Sequence, residues 1–200
     1  MKWQVGARLL VAKCDPALHY HAESVLRLLD ELDAAGCRLD DGTHITLGWS
    51  RLSLRAEAGQ LVVCEPRFDG NALVETRDDI TRSLAILVEQ SSLVSHLGVA
   101  SQPTAYDQWI TVAVGALDQP RCYAERQHTD DPDDSGWYIG PSDPSKLEVE
   151  CERIRAYELL HRRPALLPAL ALPTGYLIAF DGASIEAVLD DADCDLWHPS

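Results

Sequence analysis

Apolar residues recur at helical spacing in two stretches of the chain, and a glycine follows each stretch. Between Pro16 and Ala35 the apolar positions lie three or four apart with charged residues between them, and Gly36 comes next. The second stretch begins at Thr76, a capping residue followed by acidic side chains, and ends before Gly98. Because glycine commonly ends helices, the pattern predicts two amphipathic helices with these limits.

Short apolar or alternating runs around these helices predict strands. The predicted strands cover residues 7–12, 44–55, 61–64, 110–114, 122–126 and 176–180. Short helical segments are predicted at residues 155–161 and after Pro164, and residues 147–151 form either a strand or the approach to a helix. This mixture predicts an α+β fold of two small lobes, each an antiparallel sheet with packed helices.

The length of the chain allows one large domain or two small ones. Ser101–Thr104, a short polar segment that contains a proline, is predicted to be a linker. The linker divides the chain into an accessory α+β domain over residues 1–102 and a second α+β domain over residues 103–200. No internal repeat or low-complexity tract stands out in either part.

The chain is acidic, with 32 Asp and Glu against 17 Lys and Arg, and the excess is uneven. Residues 1–105 carry 14 acidic and 10 basic side chains, a net charge of −4, whereas residues 106–200 carry 18 and 7, a net charge of −11. A field of this sign repels nucleic acid and anionic lipid, and it attracts basic proteins. The simpler interpretation is that the acidity only keeps the protein soluble.

The cysteines and the start of the chain bear on the compartment. The six cysteines are scattered and form no C-x-x-C pair, so a zinc ribbon or thioredoxin-like motif has no support. The first residues lack the apolar core of a signal peptide, and no uncharged stretch approaches the roughly 20 apolar residues of a membrane span. The sequence therefore predicts a cytoplasmic protein with reduced thiols that binds neither nucleic acid nor membrane.

The most informative segment is acidic, with Asp130, Asp131, Asp133 and Asp134 placed around Pro132. A buried strand does not tolerate four carboxylates in five positions next to a proline, so a loop is predicted there. Such a loop places a dense negative patch on the surface, which suits a cationic partner. A solvated loop without a partner stays open, as does an incidental calcium site, although the register of an EF-hand loop is missing.

Catalytic motifs are incomplete in this chain. His21-Ala22-Glu23 matches the first part of the zinc deaminase signature, but the downstream P-C-x-x-C part is missing. His19 and His21 lie two positions apart on a predicted helix, so they do not share a face. No Walker loop, dinucleotide fingerprint or complete G-x-S-x-G pattern is present. A small metal-dependent hydrolase or deaminase near His19, His21 and Glu23 is the alternative interpretation.

Several short motifs follow one another in the second half of the chain. They are Arg126, an acidic run that ends in the D-S-G-W string Asp134–Trp137, Gly140, the proline-leucine stretch Pro164–Leu170 and the P-x-G string Pro173–Gly175. In this order and spacing they resemble the bacterial immunity protein family thirty-three, formerly a domain of unknown function. The resemblance extends from about Tyr123 to Phe180 and leaves the first hundred residues outside it.

Members of this family look like antidotes that bind polymorphic toxins, including those delivered by type VI secretion. The resemblance implies a non-enzymatic protein without a cofactor that forms a heterodimer with a cognate toxin, and the acidity favours a basic nuclease. The residues expected to contact the toxin are Asp130, Asp131, Asp133, Asp134 and Asp143. The residues expected to anchor the loop are Ser135, Gly136, Trp137 and Gly140, and a hot spot of the interface is the alternative role for Trp137. A regulatory module that binds another basic protein is a third interpretation.

Overall fold

The computed structural model describes residues 1–6, 8–143 and 150–198. Within it the chain divides into two compact units, Met1–Val88 and Glu89–Ser200. This division lies upstream of the boundary expected after residue 102, and the existence of two independent domains stays a prediction. No helix in the described part of the chain is long and apolar enough to cross a membrane.

The first unit contains one six-stranded sheet and a long helix. The strands are β1 (Lys2–Val5), β2 (Arg8–Val11), β3 (His44–Leu47), β4 (Ser50–Glu57), β5 (Gln60–Pro66) and β6 (Thr76–Arg77). They are ordered β1-β2-β5-β4-β3, with β6 paired to β5. Helix α1 (His19–Ala34) follows a 3-10 turn at Pro16–Leu18. The apolar side of α1 supplies buried residues to the core of this unit, namely Ala22, Val25, Leu26 and Leu29.

The first predicted helix is confirmed, whereas one predicted strand is divided into a hairpin. Gly36 follows the helix with a φ of 88°, a left-handed conformation in which glycine pays no steric penalty. The strand expected over residues 44–55 is divided into β3 and β4 by a turn at Gly48, whose φ is 55°. The strand expected over residues 7–12 is the second arm of the β1–β2 hairpin, and its first residue lies outside the described residues.

The second helix begins later than its sequence suggests. α2 spans Thr81–Leu97, and the carboxylate of Asp79 accepts a hydrogen bond from the amide of Thr81 at 2.9 Å. Thr76 belongs instead to β6, because this segment pairs with the end of β5. There Arg77 reaches the fully buried carboxylate of Glu65, with 3.0 Å between Nε and Oε1. Asp79 is therefore the capping residue, and the prediction of a helix start at Thr76 was wrong.

The second unit is a six-stranded sheet with short helical segments. The strands are β7 (Trp109–Ala113), β8 (Arg121–Arg126), β9 (Asp134–Pro141), β10 (Cys151–Arg155), β11 (Leu177–Asp181) and β12 (Ser184–Leu189). Their order is β10-β7-β9-β8-β11-β12, which places β9 in the interior of the sheet. The short helical segments among the described residues of this unit are Ala116–Asp118, Ala156–Glu158, α3 (Leu159–Arg162) and Pro164–Ala171. The element expected at residues 147–151 lies largely outside the described residues, and Cys151 begins β10.

The α+β class is confirmed, whereas the expectation of purely antiparallel sheets was wrong. Each sheet is mixed, because β2 pairs with β5 and β7 pairs with β9 in the parallel sense. In the second unit β9 lies between β7 and β8, antiparallel to β8 and parallel to β7. Periodicity indicates that a segment is a strand, but it carries no information about which strands become neighbours.

Candidate functional site

The expected acidic loop is present and joins β8 to β9 at one end of the strands of the second sheet, which we call the loop end. We call residues 128–133 the acidic loop, because Asp134 is the first residue of β9. Asp130, Asp131 and Asp133 are all exposed, and the side chain of Asp130 is completely accessible to solvent. The carboxylate of Asp130 contacts the ring of His128, with 3.2 Å between Oδ1 and Nε2. Three carboxylates therefore face solvent within four positions.

Hydrogen bonds inside the acidic loop fix its shape. The hydroxyl of Thr129 accepts from the amide of Asp131 at 3.2 Å, and the carboxylate of Asp131 accepts from the amide of Asp133 at 3.0 Å. The carbonyl of Asp131 accepts from the amide of Asp134 at 3.1 Å. These are the turns that Asp and Thr side chains make with backbone two residues on. Asp131 thus holds the turn as well as carrying charge.

Neighbouring backbone holds the loop against the sheet. The amide of Trp109, the first residue of β7, donates to the carbonyl of Asp133 at 2.8 Å. The side-chain amide of Gln108 donates to the carbonyl of Pro132 at 3.0 Å, and its oxygen accepts from the amide of Ala105 at 2.8 Å. The loop therefore presents its carboxylates from a fixed backbone.

Asp134 differs from the three loop aspartates. One of its oxygens accepts from the amide of Gly136 at 2.8 Å, and the other lies 2.7 Å from a guanidinium nitrogen of Arg153. Its side chain is 24% exposed. The same guanidinium lies 5.4 Å from the ring centre of Trp109. Asp134 was expected to contact a toxin, but both of its oxygens are engaged within the protein.

The rest of the D-S-G-W string is buried strand rather than an exposed turn. Ser135 is 3% exposed and donates from its hydroxyl to the carbonyl of Trp109 at 2.6 Å. Trp137 is 1% exposed, and its indole Nε1 donates to the hydroxyl of Thr104 at 2.9 Å. Thr104 belongs to the segment predicted as a linker, and its amide donates to the carbonyl of Leu170 at 2.8 Å. Thr104 is therefore part of the core around Trp137, whereas Ser101, Gln102 and Pro103 are exposed.

Gly136 lies where no larger residue fits. Its φ is +77°, and a Cβ built on it would lie 2.0 Å from the carbonyl oxygen of Gln127. The amide of Gln127 donates to the carbonyl of Gly136 at 2.9 Å, so the two backbones are in direct contact. The glycine lets the chain bend into β9 while it stays against the end of β8.

Arg126 connects several backbone segments at the loop end of the sheet, a role that the sequence did not reveal. It is 6% exposed and donates to the carbonyls of Ser135 at 3.1 Å and Leu172 at 2.7 Å, and to that of Gln102. Its guanidinium lies 5.8 Å from the ring centre of Trp137. Burial lowers the pKa of Arg126 to about 10, so the group still carries its charge at neutral pH. The signal available was an arginine that ends a strand directly before an acidic run.

Asp143 and Gly140 lie far from the acidic loop. β9 runs for eight residues from Asp134 to Pro141, a span of roughly 23 Å in an extended strand. Asp143 follows its far end and lines a separate open cleft with Arg121. Sequence proximity was misleading here because the intervening residues are extended. The structure therefore brings together the aspartates at 130–134 but separates Asp143 from them.

A second acidic run lies at the loop end of the sheet, as the acidic loop does. β12 finishes at the loop end because it runs antiparallel to β11, and Asp190–Asp195 follows it. Asp191 is exposed, and its Cβ is 2.9 Å from a Cβ built on Gly175. Gly175 in turn donates from its amide to the carbonyl of Arg126 at 2.7 Å. The sequence shows that both runs are acidic, but only the strand order shows that they lie at the same end of the sheet.

The residues of the alternative enzymatic interpretation lie on α1 in the first unit. Glu23 pairs with Arg27 one turn later, with 2.9 Å between the charged atoms. His21 makes an edge contact with the ring of Tyr20, with centroids 5.5 Å apart, and His19 is exposed. In residues 1–6, 8–143 and 150–198, no three His, Cys, Asp or Glu side chains are grouped so that they could hold a metal ion.

The second unit thus presents two acidic segments at one end of a well-packed sheet. A family model described as the Imm33-like domain matches residues 89–191. The chain belongs to this family of immunity-type proteins. The matched region begins at the first residue of the second unit and includes the acidic loop, β9 and the start of the second acidic run. No curated protein and no solved structure gives a significant match.

Proposed function

We propose that the chain is a cytoplasmic immunity protein that binds a cognate secreted toxin and blocks it in a one-to-one complex. The partner is a basic nuclease, delivered by type VI secretion or a similar system. The protein acts by binding and not by catalysis. The observation that carries the proposal is the acidic loop, where Asp130, Asp131 and Asp133 are exposed on a hydrogen-bonded turn.

Charge explains why such a loop suits a nuclease. An enzyme that binds phosphodiester backbones presents a basic surface, because cations neutralise the phosphates. Clustered carboxylates are attracted to that surface, and opposite fields raise the association rate constant. Rapid capture is useful against an enzyme that needs only a few cuts. The net charge of −11 over residues 106–200 extends the same field beyond the loop.

The fixed shape of the loop favours tight binding. A flexible acidic segment would lose conformational entropy when it orders on a partner, and this loss weakens binding. Here Thr129 and Asp131 already hold the turn, and Gln108 ties it to the sheet. We assign the buried neighbours a supporting role: Ser135, Gly136 and Trp137 keep the loop in place from beneath, and Trp137 is an anchor rather than an interface residue.

The decisive variant is Asp130→Lys with Asp133→Lys. The carboxylate of Asp131 accepts a backbone hydrogen bond inside the loop, whereas among the described residues those of Asp130 and Asp133 accept none, so the double reversal leaves the turn intact. Facing like charges cost several kcal/mol, so we expect the affinity for the toxin to fall about 100-fold or more. Glu31→Lys with Glu89→Lys is the matched control, since both are exposed helical acids with the same change in total charge.

The measurement is calorimetric titration against an inactivated form of the protein encoded by the neighbouring reading frame, together with survival of cells that express the active form. Asp131→Asn separates charge from shape, because an amide oxygen still accepts the hydrogen bond. Equal affinity and protection for the loop variant would remove the loop from the interface. Failure of the unaltered chain to bind the neighbouring protein would overturn the antitoxin assignment itself.

A further inference from the structure

The second sheet has two unlike faces. Along β9 the side chains of Trp137 and Ile139 are buried, whereas Tyr138 between them is half-buried. β8 repeats the pattern, with Ala124 buried and Tyr123 half-buried. Successive side chains of a strand point to opposite faces, so the two tyrosines lie on the face away from the core. An aromatic pair thus occupies the middle of a partly open sheet face.

Strand register assembles this face into one surface. Tyr138 is aligned with Thr111 on β7 and with Glu125 on β8. Glu125 is aligned in turn with Leu177 on β11. Residues opposite each other on paired strands share a face, so this row crosses four strands with aromatic, hydroxyl, acidic and apolar side chains. All four are half-buried.

Gly140 lets the two tyrosine rings lie across the sheet. A Cβ built on it would come within 2.7 Å of Cε1 of Tyr138 and 3.0 Å of Cε1 of Tyr123. The ring centroids of the two tyrosines are 5.9 Å apart, and the ring planes are tilted by 53°. The rings therefore use the space over the glycine. Large rings fixed in this way offer contact area at little cost in conformational entropy.

The face continues to the acidic loop. At the loop end of the sheet, the guanidinium of Arg155 lies 3.6 Å from the ring centre of Trp109. Arg153 contacts the same ring and pairs with Asp134, the residue that follows the loop. Tryptophan, tyrosine and arginine are the residue types enriched in protein interfaces. The aromatic face and the acidic loop are thus parts of one continuous surface.

The size of a protein interface explains why the loop needs this face. A specific complex buries roughly 800 Å² on each partner, contributed by about 20 to 30 residues. The six residues of the acidic loop supply only a fraction of that. The adjoining face adds contact area. It carries Arg153 and Arg155, but Glu125, Asp134 and the three loop carboxylates outnumber them, so the combined surface stays negative and suits a cationic partner. A second copy of the chain would bring two strongly acidic surfaces together, which repulsion opposes.

We infer that the sheet face centred on Tyr123 and Tyr138 is the main docking surface for the basic toxin, and that the acidic loop meets the toxin at its rim. This inference rests on the toxin-binding function proposed above. Cationic side chains of the toxin stack on the tyrosine rings, where an ammonium or guanidinium group is attracted to the π face. The loop then governs the rate of encounter, and the face governs the lifetime of the complex.

The test is the double variant Tyr123→Ala with Tyr138→Ala, titrated against the inactivated neighbouring protein. We expect at least a 100-fold weaker complex, with a faster dissociation rate and an unchanged dependence of association on salt. Loop charge reversal should instead slow association and flatten its salt dependence. Tyr20→Ala is the matched control, since Tyr20 is 75% exposed on α1. Ala179→Arg, half-buried beside Tyr123 in the register, blocks the face without removing a ring.

The outcomes separate the two proposals. If the unaltered chain does not bind the neighbouring protein, the antitoxin function fails and this inference fails with it. If the chain binds and loop reversal weakens the complex, yet the tyrosine variant and Ala179→Arg bind as tightly as the unaltered chain, only the docking face is overturned. A dimer of the unaltered chain that Ala179→Arg dissociates would assign the face to self-association and would also overturn the inference.

Discussion

The acidic loop and the strand that follows it are contiguous in sequence but opposite in environment. Asp130 and Asp133 are exposed, and among the described residues neither carboxylate accepts a hydrogen bond from the backbone. Ser135 and Trp137 are almost fully buried, and each donates a side-chain hydrogen bond within the protein. The change occurs between Asp133 and Asp134, inside what the sequence presents as one acidic run into D-S-G-W.

This difference shows that neighbouring residues of one motif have different roles, some stabilising the fold and others setting the charge of the surface. Substitution of a buried, bonded residue changes the free energy of unfolding, because the contacts it makes exist only in the folded state. Substitution of an exposed carboxylate changes the field that a partner meets and hardly affects folding. Measurements of stability and of binding on the same variants should therefore separate the two regions.

The largest expected effect is that of Trp137→Ala. Truncation of a buried tryptophan leaves a cavity and leaves the hydroxyl of Thr104 without its indole donor. We expect the free energy of unfolding to fall by about 3–5 kcal/mol, as measured by urea denaturation. Trp137→Phe keeps most of the ring volume and should lose less, about 1–3 kcal/mol. A loss below 1 kcal/mol for Trp137→Ala would contradict a buried anchoring role.

Gly136→Ala should rank second. The methyl group would meet the carbonyl of Gln127, and the left-handed backbone adds its own penalty of about 1–2 kcal/mol. Together with overpacking we expect about 2–4 kcal/mol of lost stability in urea denaturation. Gly98→Ala is the matched control, since its φ is +67° but a Cβ there meets nothing within 4 Å. Equal losses for the two variants would mean that the contact with Gln127 carries no strain.

Sequence patterns predicted the fold class and many of its elements for a clear reason. α1 and β5 follow local periodicity, and each has a local stop signal. Gly36 follows α1 in a left-handed conformation that glycine adopts freely, and β5 ends at Pro66, whose ring fixes φ. α2 was placed too early because Thr76 has the chemistry of a cap, yet pairing with β5 draws it into a strand. Tertiary contacts override local signals in this way, and no window of sequence contains them.

The candidate site was predicted in part. The acidic loop was found because carboxylates beside a proline exclude a buried strand, which is a local argument. The engagement of Asp134 with Arg153 joins positions 19 residues apart, and the burial of Arg126 depends on carbonyls from three separate segments. The second acidic run lies at the same end of the sheet as the acidic loop only because of the strand order. Such relations are absent from the linear pattern.

The smallest expected effect marks the boundary between the two regions most sharply. Asp133→Asn removes a charge from a crowded, exposed loop, so stability should stay within about 0.5 kcal/mol and should rise slightly at low salt as repulsion is relieved. Asp134→Asn removes the charge that pairs with Arg153, and it should lose about 0.5–1 kcal/mol, less at high salt.

The two variants change neighbouring residues in the same way, so urea denaturation at low and high ionic strength compares them directly. Asp133→Asn should reduce the size of the free energy of toxin binding more than the free energy of unfolding. Asp134→Asn should reduce the free energy of unfolding more than the size of the free energy of toxin binding. If both variants lowered stability equally, the acidic loop would contribute to the fold as much as β9 does. The separation of the exposed aspartates from the buried strand would then have no energetic basis.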